Sequence, residues 1–356
     1  MTNFDRLLLT LISSFQGERT VSAVFHLLNG KRSGQTLQDV EYYNMKSYFS
    51  ILPKLKKELF DKYIENLVNK DLIKIEHSIA HLTQKGIECA KEPVEFMFNG
   101  WIYRGKEWEF FYRLSLIVQT LSQAITKDMK FVPVQKDEKI QQFVKVYLSS
   151  KPYIEYRFIS DFKCEMIESI SSGLLNDEQK NMIVHRLTGK GVSGWTWRQM
   201  AERTDCAEMD VYLAFIEALH KWLDQLTFEP SKFPLLREIA YDIKARTPLT
   251  ESATKTSHLF SQGFSMEQIT EIRKLKMSTI EDHFVEMAIN EMAFPISRFL
   301  TNSELEQVQK AVKELNSKKL RLLKERLPNL SYFQLRLGMA YKEGEKSAQT
   351  KAPSRS

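Results

Sequence analysis

The chain has 356 residues, 43% of them hydrophobic, which is typical of a globular protein with two or three domains. Three widely spaced cysteines argue against a disulfide framework, and the lack of a long apolar run or a cationic N-terminal region argues against a membrane span or export. The net charge of +6 lies mostly in residues 236–356, which hold 20 basic and 15 acidic residues. Such an excess fits polyanion binding, although solvated surfaces also carry it.

The first segment, residues 1–95, is predicted to be a winged helix. Apolar residues at helical spacing begin it, and a further helix is predicted from about residue 54. Two β-like runs at 72–75 and 78–82 then meet at a two-residue turn, Glu76–His77. Because an acid at the tip of the wing would repel phosphate, packing or protein contact is as open an interpretation for this unit as DNA binding.

The middle segment, residues 96–235, is predicted to be a helical domain. Within it, residues 196–222 have the pattern of a helix-turn-helix, with a T-x-x-Q capping box at 196–199 before an amphipathic helix. Trp195 and Trp197 lie at its start. They could stack on bases, but the interpretation we favour is that they fill the core.

The third segment, residues 236–341, contains the most informative motif of the chain, at 263–284. Gly263 is placed to end one helix. An S-x-x-Q box at 265–268 and an S-x-x-E box at 278–281 are each predicted to open a further helix. Two short capped helices with a tight break between them form the unit that offers one helix to a DNA groove.

The predicted fold class is therefore mainly α, with several helix-turn-helix units, of which the N-terminal one is a winged helix with a short β-hairpin. Residues 342–356 contain no large aliphatic side chain and are predicted to be a disordered tail.

Candidate DNA contacts lie at the turn of the motif and on the helix after it. Basic side chains there would lie beside the phosphate backbone, and hydroxyls at a helix N-terminus would donate to phosphate. Glu281, Asp282 and Glu286 on the same helix oppose phosphate, so we expect weak or nonspecific contact. A basic stripe on later helices is a second candidate, and a solvated helix face is its alternative. The predicted DNA-binding residues are Arg273, Lys274, Lys276, Ser278, Thr279, His283, Lys318, Lys319 and Arg321.

Enzyme signatures are missing from the sequence. It has no phosphate-cradling G-x-x-x-x-G-K-[ST] loop, no G-x-G-x-x-G and no G-x-S-x-G. His77, His81 and Cys89 make a weak zinc set, because the two histidines straddle the predicted hairpin. We therefore predict that the chain is not an enzyme and has no catalytic residue, cofactor or metal.

Two parts of the chain resemble known families. Segment 249–341, with its capped helices and the Phe299-Leu-Thr-Asn-Ser-Glu-Leu305 block, resembles the helicase-associated helix-turn-helix domain of RecQ-type DNA helicases. Residues 17–39, joined to His-Leu-Thr-Gln-Lys-Gly at 81–86, look like the N-terminal part of the YpbB-type proteins of Gram-positive bacteria. The resemblance implies a bacterial cytoplasmic, nucleoid-associated accessory protein that binds DNA and a RecQ-like helicase in DNA replication, repair or recombination.

Two other functions are also weighed. One is a protein-interaction adaptor with little DNA binding of its own, which would bind the helicase or single-stranded-DNA-binding protein through a basic pocket near Lys31 and Arg32. The other is a sequence-specific transcription regulator, against which the acidic residues of the second motif helix argue.

Overall fold

The structure is a computed structural model that describes residues 1–92, 94, 96–171, 173–229, 231–245, 247, 249–291 and 293–341. Within them the chain is mainly helical with one two-stranded antiparallel sheet, which confirms the predicted fold class. The tail predicted at 342–356 lies outside the described residues. No described helix is both long enough and apolar enough to cross a membrane.

The elements up to residue 125 are α1 (Asn3–Ser14), α2 (Val21–Asn29), α3 (Gly34–Tyr42), α4 (Lys57–Asn69), β1 (Ile73–Glu76), β2 (Ile79–Leu82), α5 (Gln84–Ala90), α6 (Gly100–Tyr103) and α7 (Glu107–Ile125). Those of the middle are α8 (Glu138–Ser149), α9 (Tyr156–Ser171), α10 (Asp177–Arg186), α11 (Trp197–Thr204), α12 (Glu208–Phe228) and α13 (Pro234–Ala240). The last are α14 (Glu251–Ser261), α15 (Met266–Arg273), α16 (Met277–Asn290), α17 (Asn302–Leu315), α18 (Leu320–Arg326) and α19 (Tyr332–Ala340).

The chain folds into two compact units that are not contiguous in sequence. Unit 1 comprises Met1–Thr10, Ser47–Tyr63 and Glu88–Arg246. Unit 2 comprises Leu11–Lys46, Ile64–Ile87 and Thr247–Ser356. The predicted division into 1–95, 96–235 and 236–341 is therefore not the division that the packing shows, because parts of the first segment belong to each unit.

Unit 1 is built around α7 and α12, the two longest helices. Each buries more than half of its residues, because large apolar side chains recur around most of the helix circumference. Phe110 of α7 meets Trp222 of α12 edge to face, with ring centroids 5.3 Å apart. Shorter helices, among them α8, α9 and α13, pack around this pair. Such a centre requires no sheet.

Unit 2 has its core at α16, against which α3, α14 and α19 pack. The core is a cluster of fully buried aliphatic and aromatic side chains, including Ile280 and Phe284. The short helix α3 buries seven of its nine residues. A helix buried on nearly all sides needs partners on several faces, and α3 finds them in α2, α16 and α19. This requirement joins the N-terminal segment to the last third of the chain.

The hairpin in unit 2 pairs Ile73 with Leu82 and Glu76 with Ile79. Its turn is His77–Ser78, one residue later than predicted, and both turn residues have positive φ angles, 50° and 66°. Two consecutive positive φ angles give the turn that matches the twist of a two-residue hairpin. Glu76 therefore ends β1 and does not form the tip of the wing.

Candidate nucleic-acid interface

The motif at 263–284 forms a helix-turn-helix, as the sequence predicts. Ser265 caps α15 by accepting from the Gln268 N–H, while the Gln268 side chain accepts from the Ser265 N–H, so the first capping box is confirmed. The chain leaves α15 through Lys274, which has a left-handed φ of 52°. The second predicted box is wrong, because α16 starts at Met277 with Lys276 as its N-cap, and Ser278 already lies inside the first turn.

The body of α16 is buried within unit 2. Ile280 and Phe284 are fully buried, and α3, α14 and α19 pack on the helix together with α15 of the motif itself. A recognition helix lies in the major groove and contacts base edges with its N-terminal residues, so its outer face must be free of its own domain there. In unit 2 most of the presumed recognition helix is packed against its neighbours, and its exposed residues, Met277 and Ser278, lie at its N-terminal end.

The acidic residues of α16 have partners within the unit. Glu281 and Asp282 form ion pairs with Arg336 of α19, with 3.3 Å between the Arg336 and Glu281 side chains. Glu286 is buried and accepts hydrogen bonds from the Thr250 backbone N–H and hydroxyl at the start of α14. These carboxylates hold α16 against its neighbours, and Arg336 offsets part of the negative charge that the sequence set against phosphate. Arg336 was not among the sequence candidates, since nothing local marks it as their partner.

Arg273 and His283 form one internal cluster. Arg273 donates to the Ser252 carbonyl at 2.7 Å and also to the Thr256 hydroxyl, which lies 2.9 Å from His283 Nδ1. His283 is 7% exposed. Burial, reinforced by the Arg273 charge, lowers the pKa of His283 to about 4. Burial also lowers the pKa of Arg273. The expectation that His283 lies on a groove or surface is wrong in this structure, because the side chain closes the junction of α14, α15 and α16.

The exposed part of the motif is its turn. Lys274, Lys276 and Ser278 are exposed, and Thr279 is partly buried. The first N–H groups of α16 have no partner within the helix and carry the positive end of its dipole. Lysines beside such an end are suited to the phosphate backbone and not to base edges. This short surface is the part of the helix-turn-helix that remains open to DNA.

The basic stripe on α17 and α18 is partly occupied. Lys318 lies with its ammonium 4.7 Å from the centre of the Tyr43 ring, and Lys324 donates to the carbonyls of Pro328 and Leu330. Arg321 pairs with Glu325 on the same helix at 3.0 Å. Lys319 is exposed and has no ion-pair partner within 4.0 Å in the part of the chain that the structure describes. Of the three stripe residues predicted to bind DNA, Lys319 is therefore the one whose side chain has neither an ion pair nor a ring contact among the described residues.

A cleft in unit 2 brings together residues that the sequence assigned to different roles. It has a volume of about 640 Å³ and lies between the starts of α3 and α14 and the first turns of α16. Arg32, predicted to bind a protein partner, lines it together with Arg273, Thr279 and His283. Lys31 is exposed next to Arg32, and its ammonium lies 3.3 Å from His26 Nε2. The cleft is not uniformly basic, because its lining also includes Glu251, Asp282 and Glu286.

The second predicted helix-turn-helix, in unit 1, is formed by α11 and α12. Thr196 and Gln199 make the predicted capping box. Trp197 packs edge to face against Tyr212 and Phe215, which agrees with the core-filling interpretation, although the ring stays partly exposed. Trp195 stacks on His185 with ring centroids 3.7 Å apart. Among the described residues no group of three or more His, Cys, Asp or Glu side chains is placed to hold a metal ion.

The geometry and the comparisons with known proteins both indicate a protein with a helix-turn-helix domain. Residues 252–339 match the family described as a helix-turn-helix domain, a class of domain that indicates DNA binding. The whole chain is also 32% identical over 346 residues to Protein YpbB of Bacillus subtilis (strain 168), a match that covers 94% of this chain and 96% of that protein. The chain belongs to the YpbB family. No solved structure matches it.

Proposed function

We propose that the chain is a non-catalytic DNA-binding accessory protein that works with a RecQ-like helicase in DNA replication, repair or recombination. The helix-turn-helix domain supports the DNA-binding part of this proposal, and membership of the YpbB family supports the accessory role. The helicase partnership rests on the sequence resemblance of segment 249–341. We further propose that the protein is cytoplasmic and associated with the nucleoid.

The observation that carries the proposal is the exposed N-terminal end of α16. Lys274, Lys276 and Ser278 are open to solvent there, while Glu281 and Asp282 of the same helix are paired with Arg336. Lysines and free N–H groups contact phosphates without reading bases. Since the rest of α16 is covered, we infer that duplex DNA is bound through its backbone and with little sequence preference.

The test is the salt dependence of duplex binding by the full chain. Fluorescence anisotropy of a dye-labelled duplex is measured for the wild type and for Lys274→Glu/Lys276→Glu over a series of salt concentrations. We expect a lower affinity for the variant and a log–log slope shallower by about 0.9 for each phosphate that the variant no longer neutralises. Both lysines are exposed, so the free energy of unfolding should change by about 0.5 kcal/mol or less.

A matched control is available in unit 1. Lys139 and Lys145 are exposed on α8, and Lys139→Glu/Lys145→Glu changes the net charge by the same amount. This control should keep most of the wild-type slope. An unchanged slope in Lys274→Glu/Lys276→Glu, with normal thermal unfolding, would reject the α15–α16 turn as the DNA surface.

The alternative function is an adaptor that binds the helicase, or the acidic tail of single-stranded-DNA-binding protein. The observation that favours it is the position of Arg32 together with Lys255 in the unit 2 cleft, whose lining also includes three carboxylates. Under this alternative, Lys31→Glu/Arg32→Glu abolishes capture of the partner by the full chain, whereas Lys274→Glu/Lys276→Glu does not. The opposite pattern, with partner capture intact and duplex binding abolished at the α16 end, supports the DNA-binding function.

A further inference from the structure

Unit 1 contains a cavity that takes no part in the proposed binding of duplex DNA. Its volume is about 730 Å³, and it lies between the start of α4, the helix α7 and the α11–α12 pair. Five aromatic residues line it: Tyr63, Trp108, Tyr112, Trp197 and Tyr212. Three basic residues line it as well: Lys54, Lys56 and Arg186. Glu208 is the one carboxylate among the described lining residues.

The rings of this cavity support one another. Trp108 is stacked on Tyr212 with ring centroids 5.0 Å apart, and Trp197 meets Tyr212 edge to face at 4.9 Å. Two of the cations lie against rings. The Arg186 guanidinium is 4.1 Å from the Trp197 ring centre, and the Lys54 ammonium is 5.1 Å from that of Tyr112. Planar apolar surface and positive charge therefore alternate within a single pocket.

The polar atoms that remain uncommitted around the cavity are mostly donors. Trp108 Nε1 and Arg186 Nε are buried, and neither has a hydrogen-bond acceptor among the described residues. Arg186 does use its terminal nitrogen, donating to the Trp195 carbonyl. The ammonium groups of Lys54 and Lys56 add donors at the rim, since both residues are exposed and, within the described part of the chain, Lys54 uses only one of its hydrogens, donating to the Tyr112 hydroxyl at 3.4 Å. Such a lining suits a planar, anionic ligand that is rich in acceptors.

We propose that this cavity binds single-stranded nucleic acid, with a base among the rings and flanking phosphates on Lys54 and Lys56. A base in a duplex has both faces covered by its neighbours, whereas an unpaired base is free to stack on aromatic side chains. A peptide also brings carbonyl acceptors, but its backbone carries no regular negative charge for Lys54 and Lys56. The proposal deepens the proposed DNA-binding function, on which it rests, by assigning single strands to unit 1.

The test uses the full chain with a dye-labelled oligothymidine and a blunt duplex, both measured by fluorescence anisotropy at several salt concentrations. Lys54→Glu/Lys56→Glu should weaken oligothymidine binding about tenfold or more and make its salt slope shallower by about 0.7 for each phosphate that is no longer neutralised. Its duplex affinity should stay at the wild-type value. Lys139→Glu/Lys145→Glu, with the same change in net charge, should bind oligothymidine nearly as the wild type does.

A second pair of variants tests the rings themselves. Trp197→Leu removes a stacking surface and should lower oligothymidine affinity about tenfold. Trp197→Phe retains an aromatic ring and should recover most of that affinity. Thermal unfolding of both variants separates a folding defect from a binding defect. If Trp197→Leu does not fold, Lys54→Glu/Lys56→Glu still decides the question, because this variant must then bind oligothymidine more weakly than both the wild type and Trp197→Phe.

The failures of the two proposals are distinguishable. Wild-type oligothymidine affinity in Lys54→Glu/Lys56→Glu overturns the cavity proposal and leaves duplex binding at α16 untouched. Loss of duplex binding in Lys274→Glu/Lys276→Glu without loss of oligothymidine binding supports both proposals. Failure of the wild type to bind oligothymidine, with binding of an acidic peptide that depends on Lys54 and Lys56, makes the cavity a peptide site and also overturns the proposal.

Discussion

His283 provides the sharpest test of how unit 2 is built. Its Nδ1 lies 2.9 Å from the Thr256 hydroxyl and 3.4 Å from an Arg273 nitrogen. Because Arg273 donates to the Thr256 oxygen, the hydroxyl hydrogen is free to point at Nδ1, and the imidazole is then neutral with its proton on Nε2. Protonating Nδ1 would place a second positive charge beside Arg273 in a buried site. Asp282 acts in the opposite direction but does not compensate.

The expected effect is a loss of stability in weak acid. Burial and Arg273 lower the pKa of His283 from 6.5 to about 4, so the unfolded chain binds this proton more readily than the folded one. The contribution of His283 is fully present above about pH 6.5 and is lost as the pH falls from 6.5 toward 4. The lowered pKa corresponds to about 3 kcal/mol as an upper bound. His283→Gln keeps a hydrogen bond to Thr256 within reach but does not titrate, so it should lack this component.

The assay is urea unfolding of the wild type and of His283→Gln at pH values from 7.5 to 4.5. The wild type should lose more free energy of unfolding over this range than the variant, and the difference should appear below pH 6.5. Identical pH dependence of the two proteins would refute the buried, neutral histidine. A DNA-contacting histidine would instead gain charge near pH 6.5 and raise duplex affinity, so unchanged affinity between pH 7.5 and pH 6 is a second expected result.

Two further predictions follow from other contacts and from the motifs. Glu18 accepts hydrogen bonds from the Tyr43 hydroxyl at 2.6 Å and from the Lys318 N–H at 3.0 Å. Glu18→Ala should therefore destabilise unit 2 by about 2 kcal/mol, measured as a fall in Tm of about 4–8 °C, and Glu18→Gln should destabilise it less. An unchanged Tm in Glu18→Ala would contradict the link between the N-terminal segment and the last third of the chain. Burial raises the pKa of Glu18, but hydrogen bonds from Ser317, Tyr43 and Lys318 outweigh it and the net pKa is lowered, so this contribution should be present above about pH 4.5 and fade below it. The purified chain should neither hydrolyse ATP nor unwind DNA, because it has no phosphate-cradling loop, and DNA-stimulated ATPase activity that persists after contaminant controls would contradict this.

The structure also changes which fragments are useful. From sequence alone, residues 236–341 are the natural fragment for testing DNA binding. In the structure that fragment would lack α3, and the face of α16 that α3 covers would be exposed to water. Tyr42 on α3 also donates to the Arg336 carbonyl at 3.0 Å. Experiments on the full chain are therefore more informative than those on the fragment.

The local features of this protein are readable in its sequence because they depend on residues close together in the chain. The capping boxes at Ser265 and Thr196 join residues three positions apart. The pairing of β1 with β2 across a short turn is equally local. The turn lies one residue later than predicted because backbone angles at His77–Ser78 are not visible in a hydrophobic pattern. The phosphate-cradling G-x-x-x-x-G-K-[ST] loop is also defined by residues close together in the chain, so its absence could be read from the sequence.

Exposure is what only the tertiary structure decided. From the sequence, Arg273, Lys274 and His283 were all predicted to bind DNA because they lie on one motif. In the structure, packing buries His283, and Arg273 donates to Ser252 and Thr256. Lys274 remains exposed to solvent. Lys54 and Lys56 could have been noticed as a basic cluster, but nothing local places them around the same cavity as Trp197. The physical reason is that the hydrogen bonds of a helix cap form within one helical turn, whereas burial of a helix face depends on packing partners from distant parts of the chain. Many distant helices carry apolar stripes that could pack against the same face, so the sequence does not show which of them does.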